Sequence, residues 1–270
     1  MRDIILEMRN ISKSFEYVQA LKDVDFSVRE GEIHGIVGEN GHRQAMTLAK
    51  ILGGLYAYGT YEGEIVYRGE VRKFLKPVDS RDAGISFISP RFEQLLPEMN
   101  LYENISLGCE VKLLGPFINW KKTIKKAEEL LEKVNLNVSP DTKVRKLRPA
   151  QRQRLAMAKA LGKGRDILVM DDPSIILNEE ETEELFHLIR DLQKEGTTFV
   201  IASRKPEEIV HMDVVTVLKG GKNLCILQGR EEIRESEILR AVADRELEDF
   251  YPEEKQKSVL GNLFGGWFFR

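Results

Sequence analysis

Cysteine is nearly absent from this chain. The 270 residues contain 2, Cys109 and Cys225, without the spacing of a metal site. That excludes a disulfide framework and fits a reduced, cytosolic setting. Long apolar runs are also missing, and none approaches the ~20 residues that span a bilayer. The opening residues Met1-Arg2-Asp3-Ile4 do not read as a signal peptide. The chain reads as soluble, or as peripheral by docking to something else. A strong net charge is lacking too: 41 basic residues stand against 44 acidic ones, for a net of −3. This argues against a general nucleic-acid or membrane-surface role and leaves room only for a local patch. What remains is a chain long enough for one large domain or two small ones with a sizeable core.

Strand and helix signals alternate along it. Residues 4–8, 24–28 and 33–37 read as short strands, with turn chemistry such as Glu30-Gly31 between them. Residues 48–52 read as a helix, and residues 64–67 and 84–89 as further strands. From about residue 100 to 161 the pattern becomes helical. Trp120, Ile124, Ala127, Leu131 and Val134 recur at helical spacing, as expected of a face packed on the domain. Residues 167–170 form a short apolar strand that ends in Asp171-Asp172-Pro173. Asn178 can cap the next helix with Glu181 in a capping box, and Leu185, Leu188, Ile189 and Leu192 give that helix its buried face. Residues 198–202 are the next strand, and Pro206 opens a short helix. Residues 214–218 and 224–227 form a closing hairpin around Gly220-Gly221. The alternation predicts an α/β fold with a mainly parallel sheet, to which a front sheet and a helical insert are added.

One more absence decides the chemistry. Residues 38–47 read G-E-N-G-H-R-Q-A-M-T between a buried strand and a helix, where a phosphate-binding loop belongs. Such a loop needs G-x-x-x-x-G-K-[ST]. The second glycine, the lysine and the hydroxyl are missing at that spacing.

Taken together, these segments resemble the ATP-binding subunit of ABC transporters over roughly residues 3 to 252. More narrowly, they resemble the N-terminal half of sugar-importer ATPases of the ribose, galactose and xylose type. Lys13-Ser14-Phe15 with Ala20-Leu21 resembles the family's opening, and Gly38-Glu39-Asn40-Gly41 the start of its Walker A loop. Leu96-Pro97-Glu98 with Glu103-Asn104-Ile105 is similar to the stretch after its Q-loop. Gln151-Arg152-Gln153-Arg154 with Ala158-Lys159-Ala160-Leu161 is similar to the helix after its signature. Residues 59–65 resemble the xylose branch. Leu247-Glu248-Asp249 with Tyr251-Pro252 resembles the linker between the two ATPase halves, so a single half is expected here, with a domain over residues 1–245, a helical subdomain at about 90–160 and a linker-like tail at 246–270. The implied fold is a parallel core of the P-loop NTPase kind with an antiparallel β subdomain and a helical insert.

The resemblance implies nucleotide contacts at Phe15, Gly38, Glu39, Asn40, Gly41, Arg43, Gln44, Ala45, Met46, Thr47 and Pro90. In the family the Walker A lysine meets the β and γ phosphates and the next hydroxyl binds Mg²⁺. Counting from Gly38 puts Arg43 at the glycine, Gln44 at the lysine and Ala45 at the hydroxyl. Counting back from Lys50-Ile51-Leu52 puts Ala45 at the lysine and Met46 at the hydroxyl. Neither register supplies a lysine. An arginine at the glycine also resists positive φ, which threatens the amide cradle. One charge-assisted hydrogen bond is worth roughly 1.5–3 kcal/mol, so its loss weakens phosphate binding by about one to two decades.

The other motifs are altered as well. Asp171 fits the Mg²⁺-associated aspartate, and Asp172 replaces the catalytic glutamate one methylene short. Pro90 replaces the Q-loop glutamine, with Gln94 recruited if the alignment shifts. Arg204 replaces the switch histidine. Arginine cannot act as a pH-tuned proton carrier, though it can still touch a phosphate. The signature reads Leu147-Arg148-Pro149-Ala150-Gln151, with Arg148 in the serine's place and Pro149 lacking an amide donor. The expectation is a degenerate ATP-binding subunit of a sugar-type importer, with ATP and Mg²⁺ as implied cofactors bound weakly or not at all. Its implied partners are permease subunits, a second and competent ATP-binding subunit in a heterodimer, and indirectly a sugar-binding protein, but no nucleic acid. Its implied place is peripheral, on the cytoplasmic face of the membrane. The apolar loop Ile175-Ile176-Leu177 faces a partner or a local core, and the aromatic tail at 263–269 packs or meets a partner. Two rivals are an active ATPase that uses Arg43 or Arg204 as cations, and an interaction module outside transport.

Overall fold

The computed structural model describes residues 3–38, 43–92, 94–113, 117–164 and 166–233. Two sheets organise them. The first is antiparallel, in the order β2-β1-β4-β5, from β1 (Ile4–Phe15), β2 (Val18–Arg29), β4 (Glu62–Tyr67) and β5 (Glu70–Arg72). The second has the order β10-β9-β3-β8-β7-β6. It contains β3 (Ile33–Gly38), β6 (Ile85–Ile88), β7 (Ile167–Asp171), β8 (Thr198–Ala202), β9 (Val214–Lys219) and β10 (Lys222–Gln228). Five of its strands run parallel, and β10 adds antiparallel to β9.

The sequence of the parallel strands explains their place. β3, β7 and β8 are buried at every position, as strands covered on both faces must be. Successive side chains then feed two different cores. Leu168, Met170, Phe199 and Ile201 enter the core shared with the helical region, while Val169, Val200 and Ala202 enter the core shared with the antiparallel sheet and helix α1 (Arg43–Leu52). β10 alternates exposed and half-buried, in keeping with an edge strand that covers one face. Gly35 leaves space that the Met212 side chain fills, and a Cβ there would require the Met212 thioether to move.

The expected fold class holds, and most expected elements lie where the pattern puts them. Three differ in extent. α1 begins at Arg43, five residues before the expected start. β1 and β2 are long strands rather than short ones, because residues that look like turn formers sit in irregular positions of the ladder. Asn10 and Asp23 have φ of 51° and 50°, and register shifts flank them. In the helical region, α3 (Leu101–Ser106), α4 (Trp120–Lys133) and α5 (Pro149–Gly162) are separate helices. α4 buries Ala127 and Leu131, and Val134 just beyond it is buried too. Trp120 stays 50% exposed because it is the first helical residue, with its ring edge against Tyr102.

The expectations for α6 and for the closing hairpin hold. α6 (Glu179–Lys194) is capped by Asn178, whose side-chain oxygen accepts the Glu181 N–H at 2.8 Å. Leu185, Leu188, Ile189 and Leu192 are all buried. The β9–β10 hairpin turns through Gly220 and Gly221, both at positive φ. The tail at 246–270 lies outside the described residues.

Candidate functional site

In a parallel sheet, ligands meet the loops at the carboxyl ends of the strands. Here those ends belong to β3, β7 and β8. The end of β3 leads to α1, β7 ends in Asp171 followed by Asp172, and β8 is followed by Ser203 and Arg204. Register makes these last groups neighbours, since Asp171 pairs with Ala202. A cleft of about 580 Å³ opens there, lined by Met46, Pro90, Gln94, Asp171, Asp172 and Arg204 among others.

The first turn of α1 turns most of its side chains away from the cleft. Ala45 is fully buried in the core on that side of the sheet. Gln44 is buried too. With its amide oriented to satisfy both partners, it donates to the Leu218 carbonyl at 3.2 Å and accepts the Gly221 N–H at 3.0 Å. Thr47 is buried, and its hydroxyl donates to the Arg43 carbonyl at 2.7 Å. Arg43 is exposed and does not line the cleft. Met46 does, and so does Lys50 one turn later on the same helix face. Gly38 ends β3, paired with Leu218. Glu39, Asn40 and Gly41 lie outside the described residues.

The carboxylate side is built differently. Asp171 is 7% exposed and Asp172 3%. Asp172 has φ of 43°, a left-handed conformation that aspartate tolerates better than bulky residues. Its N–H donates to the Ala202 carbonyl at 2.8 Å. Both of its side-chain oxygens accept from Arg204: Oδ1 from the backbone N–H at 3.0 Å, and Oδ2 from Nε at 2.5 Å. The two positions that the sequence marked separately as altered are therefore one ion pair. Behind it, buried Glu208 joins the loops after β7 and β8. It accepts from the Ser174 hydroxyl and from the Ser203 hydroxyl, the latter at 2.7 Å. Lys205 donates to the Ser174 carbonyl at 3.2 Å. Sequence reasoning did not single out Glu208. The signal available was a glutamate five residues after Ser203, in the short helix that Pro206 opens.

Pro90 and Gln94 both reach the cleft, so the two candidates for the missing glutamine share one wall. The Gln94 Nε2 is buried with no acceptor among the described residues. Its backbone carbonyl accepts from the Lys159 ammonium of α5 at 2.7 Å. Burial, with Lys163 and Arg81 nearby, pushes the Lys159 ammonium down to about 8.

The signature residues are elsewhere. Arg148 and Pro149 are exposed at the start of α5, Leu147 is buried, and the Gln151 side chain accepts the Arg148 N–H at 3.0 Å. None of the five lines the cleft. Phe15 does not line it either. Its ring packs edge-on to Tyr56 at 5.5 Å, with the Lys13 ammonium 5.1 Å above it. Ile175 and Ile176 are 39% and 45% exposed in the loop after Asp172.

Magnesium takes oxygen ligands in near-octahedral array. Asp172 is committed to Arg204, and the helix residue facing the cleft at this point is the thioether Met46. Among the described residues, no group of three or more His, Cys, Asp or Glu side chains is placed to hold a metal ion. Magnesium is commonly held by one or two carboxylates together with substrate phosphates, and Asp171 lines the cleft as one such oxygen donor.

Comparison with known proteins bears on this geometry. The family model described as ABC transporter matches residues 21–175. The L-arabinose transport ATP-binding protein AraG of Geobacillus stearothermophilus is 42% identical over 259 residues, 95% of this chain and 50% of its own length. The xylose import ATP-binding protein XylG of Thermoanaerobacter pseudethanolicus is 41% identical over 256 residues, 94% of this chain and 50% of its own. The chain spans about half the length of the curated relatives it matches. A nucleotide-free ATP-binding cassette from an ABC transporter superposes with a TM-score of 0.73 at 24% identity, over 93% of this chain and 100% of that one, a likeness of fold.

Proposed function

Because the chain belongs to the ABC transporter family of ATP-binding proteins, we propose that it is a degenerate ATP-binding subunit of a sugar-type importer. It docks under the permease at the cytoplasmic face of the membrane and pairs with a competent ATPase, in a structural or regulatory role. The sugar assignment rests on the arabinose and xylose relatives. Among the described residues no helix is long and apolar enough to cross a membrane, in keeping with attachment through a partner. The ATPase-like domain covers residues 1–245, with the helical subdomain at about 90–160 and a linker-like tail after it.

One observation carries the loss of activity: both oxygens of Asp172 are held by Arg204. By resemblance this is the position of the family's catalytic glutamate. Here the acceptor sites of Asp172 already have a permanent cation against them. Supporting details come from α1, where neither Gln44 nor Ala45 faces the cleft and Met46 brings no hydroxyl. The site residues named from the resemblance are thus the positions of a nucleotide site whose phosphate and metal contacts are weakened. The rival in which Arg204 serves as a free cation for phosphate is disfavoured by the same ion pair.

A tagged full-length chain, purified from detergent-solubilised membranes, is expected to bring a permease and a second ATP-binding subunit with it. Recovery from the soluble fraction alone would contradict the transporter reading. Turnover of about 1 s⁻¹ by the isolated chain, the low end for enzymes, would contradict the degenerate one.

A further inference from the structure

The near-neutral balance of the whole chain hides one strongly basic stretch. From residue 107 to 127 five lysines stand against one carboxylate, Glu110. Lys121, Lys122, Lys125 and Lys126 fall in the first two turns of α4 and are all exposed. Lysine there opposes the helix macrodipole, and no acidic residue stands in the first turn to offset it. Lys121 with Lys125, and Lys122 with Lys126, are also like-charge pairs four residues apart, which destabilise a helix. Among the described residues no ion pair holds any of the four. The helix is therefore less stable for carrying these charges, and an anion outside the chain would reverse that.

The same end of the helical region exposes large apolar groups. Leu113 is 65% exposed, Phe117 69% and Trp120 50%. The backbone holds them beside the lysines. Residues 111–113 pair antiparallel with 117–119: the Leu113 N–H donates to the Phe117 carbonyl at 2.8 Å, and the Asn119 N–H to the Val111 carbonyl at 2.7 Å. The Val111 N–H in turn donates to the Thr123 hydroxyl of α4 at 3.0 Å. Glu110 is turned back on its own loop, where it accepts the Gly108 N–H at 3.1 Å.

We propose that this end of the helical region is a contact for an anionic lipid surface. Leu113, Phe117 and Trp120 enter the headgroup layer, and Lys121, Lys122 and Lys125 meet the lipid phosphates. Leucine and aromatic side chains beside lysine are the chemistry of interfacial attachment. A lipid surface also suits flexible, unpaired ammonium groups, which meet phosphate as point charges and need no fixed fork of acceptors. The contact goes beyond the importer reading and does not rest on it. Its test contains no permease and no nucleotide, so its failure would leave that reading standing.

Co-sedimentation of the full chain with vesicles decides the matter. One set is phosphatidylcholine alone, and the other is phosphatidylcholine and phosphatidylglycerol in equal parts. The wild type is expected to bind the mixed vesicles, to leave the neutral ones, and to dissociate as salt is raised. Lys121→Gln, Lys122→Gln and Lys125→Gln are expected to weaken binding about fivefold each and about a hundredfold together. Leu113→Ser with Phe117→Ser is expected to weaken it about tenfold or more. These side chains are exposed, so both sets of variants should melt with the wild type. Lys146→Gln, exposed in the basic stretch before α5, is expected to bind as the wild type does. A wild type that ignores the mixed vesicles, or binds both kinds alike, would overturn the proposal and leave this face to a protein partner. So would binding that survives both sets of substitutions, or that falls with Lys146→Gln instead. Loss with the lysines but not with Leu113 and Phe117 would overturn it as well, because attraction of charge to the surface needs no apolar contact.

Discussion

The first turn of α1 and the loops after β7 and β8 border the same cleft, but their polar groups are disposed in opposite ways. In α1 the polar groups are gone or turned inward: Ala45 is core, Gln44 bonds the β9–β10 hairpin, and Met46 offers sulfur. In the β7–β8 loops Asp172 is paired with Arg204, and Glu208 accepts from Ser174 and Ser203 with the Lys205 ammonium 3.8 Å away. One side is packed into the core, and the other is paired within itself. The difference has a consequence for repair. Charge at the loops can be released by one substitution, whereas at the fully buried Ala45 α1 has no room for a charge.

The strongest way to break this comparison is Ala45→Lys. If α1 is packing at that position, the variant buries an ammonium in a filled core, loses about 3 kcal/mol in urea unfolding and gains no ATP binding. A stable variant that binds ATP would show α1 to be a dormant site instead. On the other side, Glu208→Ala takes the acceptor from the buried Ser174 hydroxyl and leaves Ser203 only a longer bond to the Lys205 carbonyl, and is expected to lose about 2 kcal/mol in the same assay. An unchanged midpoint would remove the internal network from the account. Asn178→Ala, away from the cleft, should lose only the capping bond, about 1 kcal/mol, and marks the scale against which both are judged.

The smallest effect is one of pH, at the joint between the helical region and the cleft wall. The Lys159 ammonium is pushed down to about 8 from a usual 10.5, chiefly by burial. Between those values the unfolded chain holds the proton and the folded chain does not, so stability from this residue rises with pH across that window and is lowest below it. Lys159→Met should flatten this part of the stability curve. A curve of unchanged slope would place the ammonium in solvent.

Much of this was legible in the sequence, for a physical reason. β8 falls at residues 198–202 as its unbroken apolar run requires, and the Asn178–Glu181 box marks the start of α6. Local patterning sufficed because each of these elements is specified by its own residues. The early start of α1 was less visible. Arg43, Gln44, Ala45 and Met46 contain no glycine and are good helix formers, and the helix already includes all four. The pairing of Asp172 with Arg204 was not legible, because 32 residues separate them. It follows only once the register of β7 against β8 is known. The Gln44 contact with Leu218 and Gly221 belongs to the same class, a long-range bond that strand order creates.

The central claim is that the frame of a triphosphate site persists without its grip. Isothermal titration calorimetry of the purified full chain with magnesium-ATP tests it most directly. The account predicts no saturable heat beyond dilution, up to nucleotide concentrations on the order of 1 mM, where binding would contribute only about 4 kcal/mol. A saturable isotherm with a Kd of about 1 μM would contradict it.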